Sequence, residues 1–476
     1  MRKSLAKGRF VIKTATALSL RGTILWLVGA LVCAQCAFAG NDIVSNVVTL
    51  TPLTRYTLQQ CIDLALDQNS DILVAKKHLE EAAGAIVVAR AGYLPSLTSY
   101  ANFEWLEASY ATLDNSVSNR SDVWNVNIRL TETIYAGGAV RAGMDIARLQ
   151  KHSRTLDYES AVDQVIMDVR IAFYDVLRNQ SDVAVHEQAV NFLAEQVKNE
   201  QARLDVGTGQ KLNVLRAEVN RALEQSALVD ARNRLRNSSL QLSQLLSIPY
   251  STDQDHVPFD IDGTLAYEKT TLELDDCLTR ALAQRPELTA RENDIQVQKK
   301  QLIVDRSGVL PHVALFAGYD VVSEPDRTQS ADHYDGYLGG LSVSWNVFDG
   351  FATKGRMNAT RARVEGAEIS YDAVHRSIEA DVLRAYRDLQ RSDENIQTQT
   401  ANVQLATDSL KLATANFGLG LTSQLELLQS QLDLTRAQVA ELSARFEYNA
   451  ALARLERAMG SQFHITDTPA AGQGAK

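Results

Sequence analysis

Hydrophobic and polar residues alternate with a period of two in four stretches of the chain, a pattern typical of half-buried β-strands. In the first stretch, Leu97 and Phe103 share one face, while Thr98 and Asn102 share the opposite face. We expect the four strands to form two hairpins, each closed by a long polar loop. The predicted strands cover residues 95–107, 123–136, 311–322 and 337–348.

A proline stands at the entry of each hairpin, and a glycine follows its last strand. Pro95 and Pro311 lie where a missing backbone N–H costs least. Gly137 and Gly350 mark the point at which the strand pattern gives way to a helical one. We therefore expect these four residues to form the junctions between strands and helices.

Beyond each junction, apolar residues recur in alternating steps of four and three, which indicates a coiled-coil seam. In the second half this seam runs from Ile378 to Phe417, and in the first half an equivalent seam with more polar interruptions runs from Val165 to Leu204. A continuous helix from Gly138 to Leu204 would be roughly 100 Å long, at about 1.5 Å per residue. An ordinary globular core has no need of such a helix.

Each long helix is predicted to end at a turn that contains glycine. Gly207 and Thr208 lie in the first turn, and Gly420 and Leu421 lie in the second. A returning helix with its own apolar seam follows each turn, so the two segments form antiparallel helical hairpins. The strands should therefore lie at one end of the molecule and the hairpin tips at the other.

The two halves of the chain are copies of one another. The sequence RAGYLPSL at 90–97 returns as RSGVLPHV at 306–313, a displacement of 216 (306 − 90). Beyond the strands the displacement falls to 213 (348 − 135), because Tyr135 corresponds to Phe348. Two matched halves of this length indicate an internal duplication. The predicted parts are a signal peptide at 1–39, an N-terminal extension at 40–56, repeat 1 at 57–247, a linker at 248–270, repeat 2 at 271–460 and a disordered tail at 461–476.

The first 39 residues have the pattern of a cleaved secretory signal, with six basic residues and no acidic one, an apolar run at 23–33 and the small-x-small sequence Ala37-Phe38-Ala39. Cleavage would change the formal charge from −10 to −16 (42 − 58). We therefore expect an exported protein, and its acidity argues against nucleic acid as a partner.

The residues that usually carry catalysis or bind metals form no constellation in this sequence. The eight histidines are scattered, whereas a metal site needs clustered ligands. Cys61 and Cys277 occupy equivalent positions in the two repeats; buried free thiols are favoured, with a disulfide as the alternative. We expect neither an enzyme nor a bound cofactor.

Four strands with an apolar outer face cannot span a bilayer alone, because both edges of the sheet would leave backbone groups unpaired. The smallest membrane barrels have eight strands. Two copies of the chain would supply eight strands with a filled lumen, and three copies would supply twelve strands with room for a channel. The sequence thus predicts an α+β membrane protein with two repeats, each a β-hairpin plus long coiled helical hairpins, that pools its strands with other copies.

Taken together and in order, the repeated motifs resemble those of the TolC-like outer membrane factors over about residues 57–460. The resemblance implies a homotrimer with a twelve-stranded barrel in the lipid of the outer membrane and a periplasmic α-barrel. It implies a passive exit duct of a tripartite efflux pump or a type I secretion system, whose tips meet a periplasmic adaptor and whose partner is an inner-membrane RND or ABC transporter. The motifs are Leu94-Pro95, Leu310-Pro311, Tyr135 to Gly138, Phe348 to Gly350, Gly207 to Leu215 and Gly420 to Leu428.

The resemblance also implies an entrance gate on the helix after the second tip. Glu426 and Gln429 fall on the two positions where the family typically has aspartates, and Asn213 and Arg216 are their counterparts in repeat 1. The tips themselves, Gly207, Thr208, Gly420 and Leu421, are the expected adaptor contacts. In addition, Phe417 and Thr422 stand where some members have a tyrosine and an arginine that lock the closed state.

Two other classes of protein compete with the duct. A trimeric coiled-coil adhesin would share the seams and the signal peptide, but it should not contain two strand hairpins at matched places. A periplasmic enzyme would need polar residues that converge on a pocket. If the protein is a duct, the sequence leaves two alternatives for its cargo, small toxic compounds or an unfolded protein.

Overall fold

The computed structural model describes residues 54–105, 122–249, 259–323 and 333–460. These residues all belong to one unit, Pro52–Lys476. The predicted signal peptide, most of the N-terminal extension, the C-terminal tail and most of the two polar strand loops lie outside the described residues.

Strands and helices alternate in the same order in both halves of the chain. The strands are β1 (Thr54–Tyr56), β2 (Ser96–Trp105), β3 (Asp122–Ala136), β4 (Phe259–Ile261), β5 (His312–Ser323) and β6 (His333–Ser344). The helices are α1 (Leu58–Gln68), α2 (Ser70–Ala91), α3 (Ala139–Asp205), α4 (Lys211–Leu245), α5 (Leu274–Gln284), α6 (Pro286–Ser307), α7 (Ala352–Gly418) and α8 (Gln424–Ala458).

The first long helix has the extent expected from Gly138 to Leu204, and its counterpart in the second half is equally long. Helices α3 and α7 each contain 67 residues, which corresponds to about 100 Å. Their seam residues are buried or half-buried throughout, since α4 packs back along α3 and α8 packs back along α7. None of the helices in the described part of the chain has the length and apolar character needed to cross a membrane.

Four strands form one antiparallel sheet in the order β2-β3-β5-β6. Ser96 pairs with Thr131 in the first hairpin, and His312 pairs with Ser344 in the second. The two hairpins join through β3 and β5, with a register shift between Thr133 and Tyr135. Strands β2 and β6 are therefore the open edges of the sheet.

The last strand of the sheet ends earlier than its sequence pattern predicts. The alternation continues to residue 348, whereas β6 ends at Ser344. The reason is the position of β5, which begins at His312 and pairs there with Ser344. Among the residues that the structure describes, no strand therefore lies beside residues 345–348 to complete a ladder.

The helices lie side by side in a single layer with two free flanks. Next to the strands, the neighbours run α2-α3-α6-α7, and toward the tips they run α4-α3-α8-α7. Strand β2 and helices α2 and α4 therefore make one flank, whereas β6 and α7 make the other. Both flanks expose large apolar residues, among them Val87, Val219 and Leu223 on the first and Ile369, Leu405 and Leu412 on the second.

A cluster of charged side chains, largely shielded from water, joins the helices midway along the layer. The Arg457 side chain in α8 donates to Glu287 in α6 at 2.7 Å and to Ser160 in α3 at 2.9 Å. Burial raises the pKa of Glu287, but the hydrogen bond and charge of Arg457, with the charge of Arg285, outweigh it and lower the pKa to about 2. This acid therefore stays ionised and ties the two repeats together.

Asp163 lies in the same cluster but has the opposite electrostatic balance. It is only 8% exposed. Burial raises the pKa of Asp163 to about 6, and the neighbouring Glu287 and Glu159 raise it further against the attraction of Arg457. Its charged form is thus unfavourable in the folded chain.

The two cysteines that follow the signal region are free and buried. Cys61 in α1 and Cys277 in α5 occupy equivalent positions, as the duplication predicts. Burial raises the pKa of the Cys61 thiol to about 12. The structure thus favours the free-thiol alternative over a disulfide, and both side chains serve as small apolar core residues.

Replacing Asp163 by asparagine should stabilise the fold at neutral pH. An unfolded aspartate has a pKa of about 3.9, so ionisation at Asp163 disfavours the folded chain as the pH rises from about 4 through about 6. We expect Asp163→Asn to gain about 1–2 kcal/mol at pH 7.5 and almost nothing at pH 4. Thermal unfolding followed by circular dichroism at both pH values measures this difference.

The matched control is Asp157→Asn, six residues earlier in α3, whose carboxylate is exposed and pairs with Arg154 at 3.1 Å. Exposed pairs of this kind contribute about 0–1 kcal/mol. Equal pH dependence in wild type and Asp163→Asn would show that the Asp163 carboxyl is not held in an unfavourable charged state.

Candidate duct entrance at the hairpin tips

The tip of the first hairpin is a tight turn that holds the end of α3. The backbone N–H groups of Thr208 and Gly209 both donate to the carbonyl oxygen of Arg203, at 2.9 and 2.8 Å. Gly207 has φ +80°, a conformation that L side chains rarely adopt. Gly207 and Thr208 are exposed at the apex.

The second tip repeats this turn and adds a helix cap. Gly420 has φ +75°, and the N–H of Leu421 donates to the carbonyl oxygen of Asn416 at 2.9 Å. At the start of α8, the Ser423 hydroxyl accepts from the Glu426 N–H, and the Glu426 carboxylate accepts from the Ser423 N–H at 3.1 Å. This capping box fixes the first turn of the helix that carries the expected gate residues.

An arginine from the first tip holds an aromatic ring of the second. The Arg203 guanidinium, at the end of α3, lies over the Phe417 ring, with its central carbon 4.6 Å from the ring centroid. Arg203 is in turn 3.7 Å from the carboxylate of Glu200, one turn back, which is 1% exposed. A buried carboxylate thus orients a cation that contacts the other repeat.

A second contact between the tips is a hydrogen bond from a buried amide. Gln424, the first residue of α8, donates from Nε2 to the carbonyl oxygen of Asn213 in α4 at 3.0 Å. Gln424 is buried, although it lies next to an exposed turn. The two hairpins of one chain are therefore joined at their tips by two specific contacts.

The four expected gate residues lie within the first turns of α4 and α8. Glu426, Gln429 and Arg216 are exposed, and Asn213 is half-buried. Glu426 also caps its own helix, and the Gln429 amide donates to Asp433 at 2.9 Å. The structure thus brings these residues to one end of the molecule.

The four expected junction residues lie between strands and helices. Pro95 and Pro311 immediately precede β2 and β5. Gly137 has φ +60°, and a Cβ there would lie 2.9 Å from the Cβ of Ser307, so this glycine allows the two repeats to approach closely. Gly350 also has a positive φ of +65°, but it has open space around it within the chain.

No group of three or more histidine, cysteine, aspartate or glutamate side chains could hold a metal ion in the described part of the chain. The tips instead present exposed apolar side chains, including Val206, Leu419 and Leu421, around polar and charged residues. This composition suits contact with other protein surfaces.

Comparison with known proteins assigns the fold. The profile of the outer membrane efflux protein family matches residues 61–247 and 277–461, once on each repeat. Outer membrane efflux protein BepC of Brucella suis biovar 1 is 20% identical over 356 residues, 74% of each chain.

Two solved structures have the same architecture. The outer-membrane channel OprN superposes with a TM-score of 0.71 at 18% identity, over 85% of this chain and 89% of that one. The Campylobacter jejuni CmeC outer membrane channel superposes with a TM-score of 0.72 at 16% identity, over 85% of both chains. The chain belongs to the outer membrane efflux protein family, and the outer membrane is its location.

The contacts that join the tips were not predicted from the sequence. Nothing in the sequence distinguishes Arg203 from other basic residues, and Glu200 is only one of the polar residues that interrupt the first seam. Phe417, the aromatic partner of Arg203, lies more than 200 residues farther along the chain, and no periodicity relates these two positions. Only the fold brings them together.

Removing the Arg203 guanidinium should loosen the second tip. A cation–π contact contributes roughly 0.5–2 kcal/mol, so Arg203→Gln should increase local opening around Phe417 by about 2- to 30-fold. Amide hydrogen exchange of a peptide that covers residues 412–424 measures this opening. The control is Arg221→Gln, an exposed arginine farther along α4. Unchanged exchange in Arg203→Gln would mean that the contact does not hold the tip.

Proposed function

We propose that this chain forms a homotrimeric outer-membrane exit duct that conducts solutes passively from a periplasmic pump assembly to the exterior. The observation that carries the proposal is the pair of free flanks. On each flank, an unpaired strand edge and an exposed helix surface lie on the same side of the molecule. A protein with this shape is complete only when other copies cover both flanks.

The sheet supports closure by three copies. Exposed apolar residues such as Leu97, Phe103, Leu341 and Val343 line one face of its strands. In a bilayer, the unpaired N–H and C=O groups of β2 and β6 must find partners. Three copies of four strands give a twelve-stranded barrel, which is wide enough to leave a channel.

The helices support a tube that continues the barrel. Leu405 and Leu412 on α7 are exposed and seven residues apart, and Val219 and Leu223 on the opposite flank are exposed and four residues apart, a step that also belongs to a heptad seam. Heptad spacing is the spacing that a neighbouring helix requires. We infer that α7 of one copy packs beside α2 and α4 of the next, to make a periplasmic α-barrel.

The tips form the periplasmic entrance in this proposal. Gly207, Thr208, Gly420 and Leu421 contact the periplasmic adaptor, since they are exposed at the apices of both hairpins. Their exposed apolar neighbours provide area for that contact. The adaptor links the duct to an inner-membrane transporter of the RND or ABC type, which supplies the energy.

Efflux of small compounds is the cargo class that we favour over protein secretion. Relatives that cover about 40% of this chain include a solvent efflux pump outer membrane protein and a toluene efflux pump outer membrane protein of Pseudomonas putida. Both relatives belong to pumps for small compounds, which supports efflux over protein secretion. A transport assay with a hydrophobic solvent distinguishes the two alternatives. Cells that lack the protein should retain more solvent than wild-type cells if the chain is an efflux duct, and the same amount if it is a secretion duct.

The assembly is tested by the mass of the purified protein. Native mass spectrometry in a mild detergent should give three times the mass of the processed chain, because four strands leave two unsatisfied edges. A protein that is monomeric or dimeric in several mild detergents would contradict the closure argument.

The gate is tested by single-channel recording. Three copies of Glu426 around a narrow entrance should favour cations, as rings of carboxylates do in other pores. Glu426→Gln should reduce cation preference and weaken block by multivalent cations from the tip side. Glutamine also fits a capping box, so the helix start should be preserved.

Two further variants make the gate test specific. Arg216→Gln should shift selectivity toward cations, because it removes a positive charge near the entrance. Asp408→Asn removes one exposed charge per chain from α7, farther from the tips, and should leave selectivity unchanged. If Glu426→Gln behaves like Asp408→Asn, Glu426 does not line the entrance.

A further inference from the structure

We propose that a basic groove at the junction of strands and helices binds the phosphate of an anionic phospholipid in the periplasmic leaflet of the outer membrane. The groove lies between α2 and α3, and a second copy of its charges lies between α6 and α7. The inference rests on the proposed duct, because the lumen of the duct defines which face of the helix layer is the outer one.

The groove is an open cavity of about 520 Å³ close to the strands. Helix α2 ends five residues before β2 begins (96 − 91), and α3 begins three residues after β3 ends (139 − 136). Three arginines and three largely apolar side chains line it, namely Arg90, Arg141, Arg148, Ile86, Tyr93 and Met144. The groove thus offers positive charge for a headgroup beside apolar surface for an acyl chain.

Two of the three arginines have no acidic partner. The lining contains one acid, Asp145, which accepts from Lys300 at 2.8 Å and lies 3.9 Å from Arg148. The Lys300 hydrogen bond, with the charges of Lys300, Arg141 and Arg148, lowers the pKa of Asp145 despite its partial burial. Arg90 and Arg141 are exposed, and neither forms an ion pair with any residue that the structure describes. Their guanidinium groups are free for a phosphate, which they can bind through two parallel hydrogen bonds.

The second repeat keeps all three positive charges. The internal displacements give Arg306 (90 + 216), Lys354 (141 + 213) and Arg361 (148 + 213), which are exposed. Asn358 (145 + 213) replaces the one acid, and it accepts from Arg361 at 2.9 Å. Both repeats therefore concentrate basic residues at one level, although the formal charge of the whole chain is −10.

Aromatic residues place this level at the surface of the bilayer. Tyr93, in the groove, is about half exposed. Its equivalent is Val309 (93 + 216), whose carbonyl oxygen accepts from the indole N–H of the exposed Trp345 at 3.0 Å. Tyrosine and tryptophan concentrate where a membrane meets water, and the exposed apolar residues Leu94 and Leu97 follow immediately. The groove therefore lies at the depth of the periplasmic headgroups.

The helical repeat places the groove on the outer face of the layer. Arg141 and Arg148 precede Phe173 by 32 (173 − 141) and 25 (173 − 148) residues, close to nine and seven whole turns at about 3.6 residues per turn. All three residues thus share one face of α3. The linker packs on this face, since a Cβ added to Gly263 would lie 3.2 Å from the Phe173 ring. The lumen of a duct has to stay open, so the linker and the groove lie outside it.

Arginines on a different face of the same layer are paired with acids. Arg154 follows Arg148 by six residues, about one and two-thirds turns, and lies 3.1 Å from Asp157. Arg291 of α6, which lines the same cavity as Arg154, lies 3.0 Å from Asp294. Unpaired positive charge thus distinguishes the groove from this second cavity.

Lipid counting by native mass spectrometry tests the site. The delipidated full-length protein is mixed with phosphatidylglycerol in a mild detergent, and two grooves in each of three copies should hold about six molecules (2 × 3). Arg90→Gln, Arg141→Gln should weaken binding to the first groove about 5- to 30-fold, because each basic residue near an anionic lipid surface contributes about a factor of five. At a lipid concentration that just saturates the wild type, this variant should hold about three molecules (1 × 3).

The matched control is Arg154→Gln, Arg291→Gln, which removes the same charge from the other cavity and should leave the lipid count unchanged. Equal loss in the two variants, or no loss in either, overturns the site. Arg90→Lys, Arg141→Lys keeps the charge and should bind lipid as the wild type does. Loss of lipid in this lysine variant as well would overturn a site based on charge.

Inorganic phosphate separates a lipid site from a site for free anions. Equimolar phosphate should leave the lipid count unchanged, because it gains nothing from the apolar wall that Ile86 and Met144 provide for an acyl chain. If equimolar phosphate displaces the lipid, the groove is a site for free phosphate, and its assignment to phospholipid is overturned.

Single-channel recording separates this inference from the proposed duct. Because the groove faces away from the lumen, Arg90→Gln, Arg141→Gln should leave ion selectivity unchanged. A shift toward cations with an unchanged lipid count would place the arginines in the lumen and overturn the lipid site, while the duct stands. A wild-type protein that holds the lipid but conducts no ions would contradict the proposed duct and leave the lipid site in place.

Discussion

The fold depends on backbone hydrogen bonds that one copy of the chain cannot make. A four-stranded sheet leaves a full row of N–H and C=O groups on each outer strand, and lipid offers them no partner. The same incompleteness extends down the helices, whose outer seams stay exposed on the same two flanks. In the proposed assembly, one neighbour covers both the exposed strand edge and the exposed helix seam on each flank, and that neighbour is another copy of the chain.

Because of the internal duplication, one type of contact could serve both within a copy and between copies. One type of contact, between the end of a first repeat and the start of a second, already joins β3 to β5 and α3 to α6 inside the chain. Midway along, hydrogen bonds strengthen the contact, because the Ser160 hydroxyl in α3 donates to Glu287 in α6 and accepts from Arg457 in α8. In the proposed ring, the two outer flanks would meet between copies in the same way as the two repeats meet within one copy.

Most of the architecture could be predicted from the sequence, because it depends on periodicity. Seams in steps of three and four predicted the two long helices, which contain 67 residues each, and alternation predicted the four strands of the sheet. The end of β6 could not be predicted, because it depends on whether a neighbouring strand exists. The contact of Arg203 with Phe417, and the charge balance at Asp163, depend on distant residues and leave no local pattern.

The contact between Arg203 and Phe417 makes neighbouring repeats within one copy differ from neighbouring repeats of adjacent copies. Its equivalent positions across copies are Asn416 and Leu204, which cannot form a cation–π pair. In a ring of three copies, the body would have nearly sixfold symmetry, whereas the entrance would alternate between three strong joints and three weak ones. In the proposed trimer, such an entrance would open as three pairs of helical hairpins, each pair containing one hairpin from each repeat.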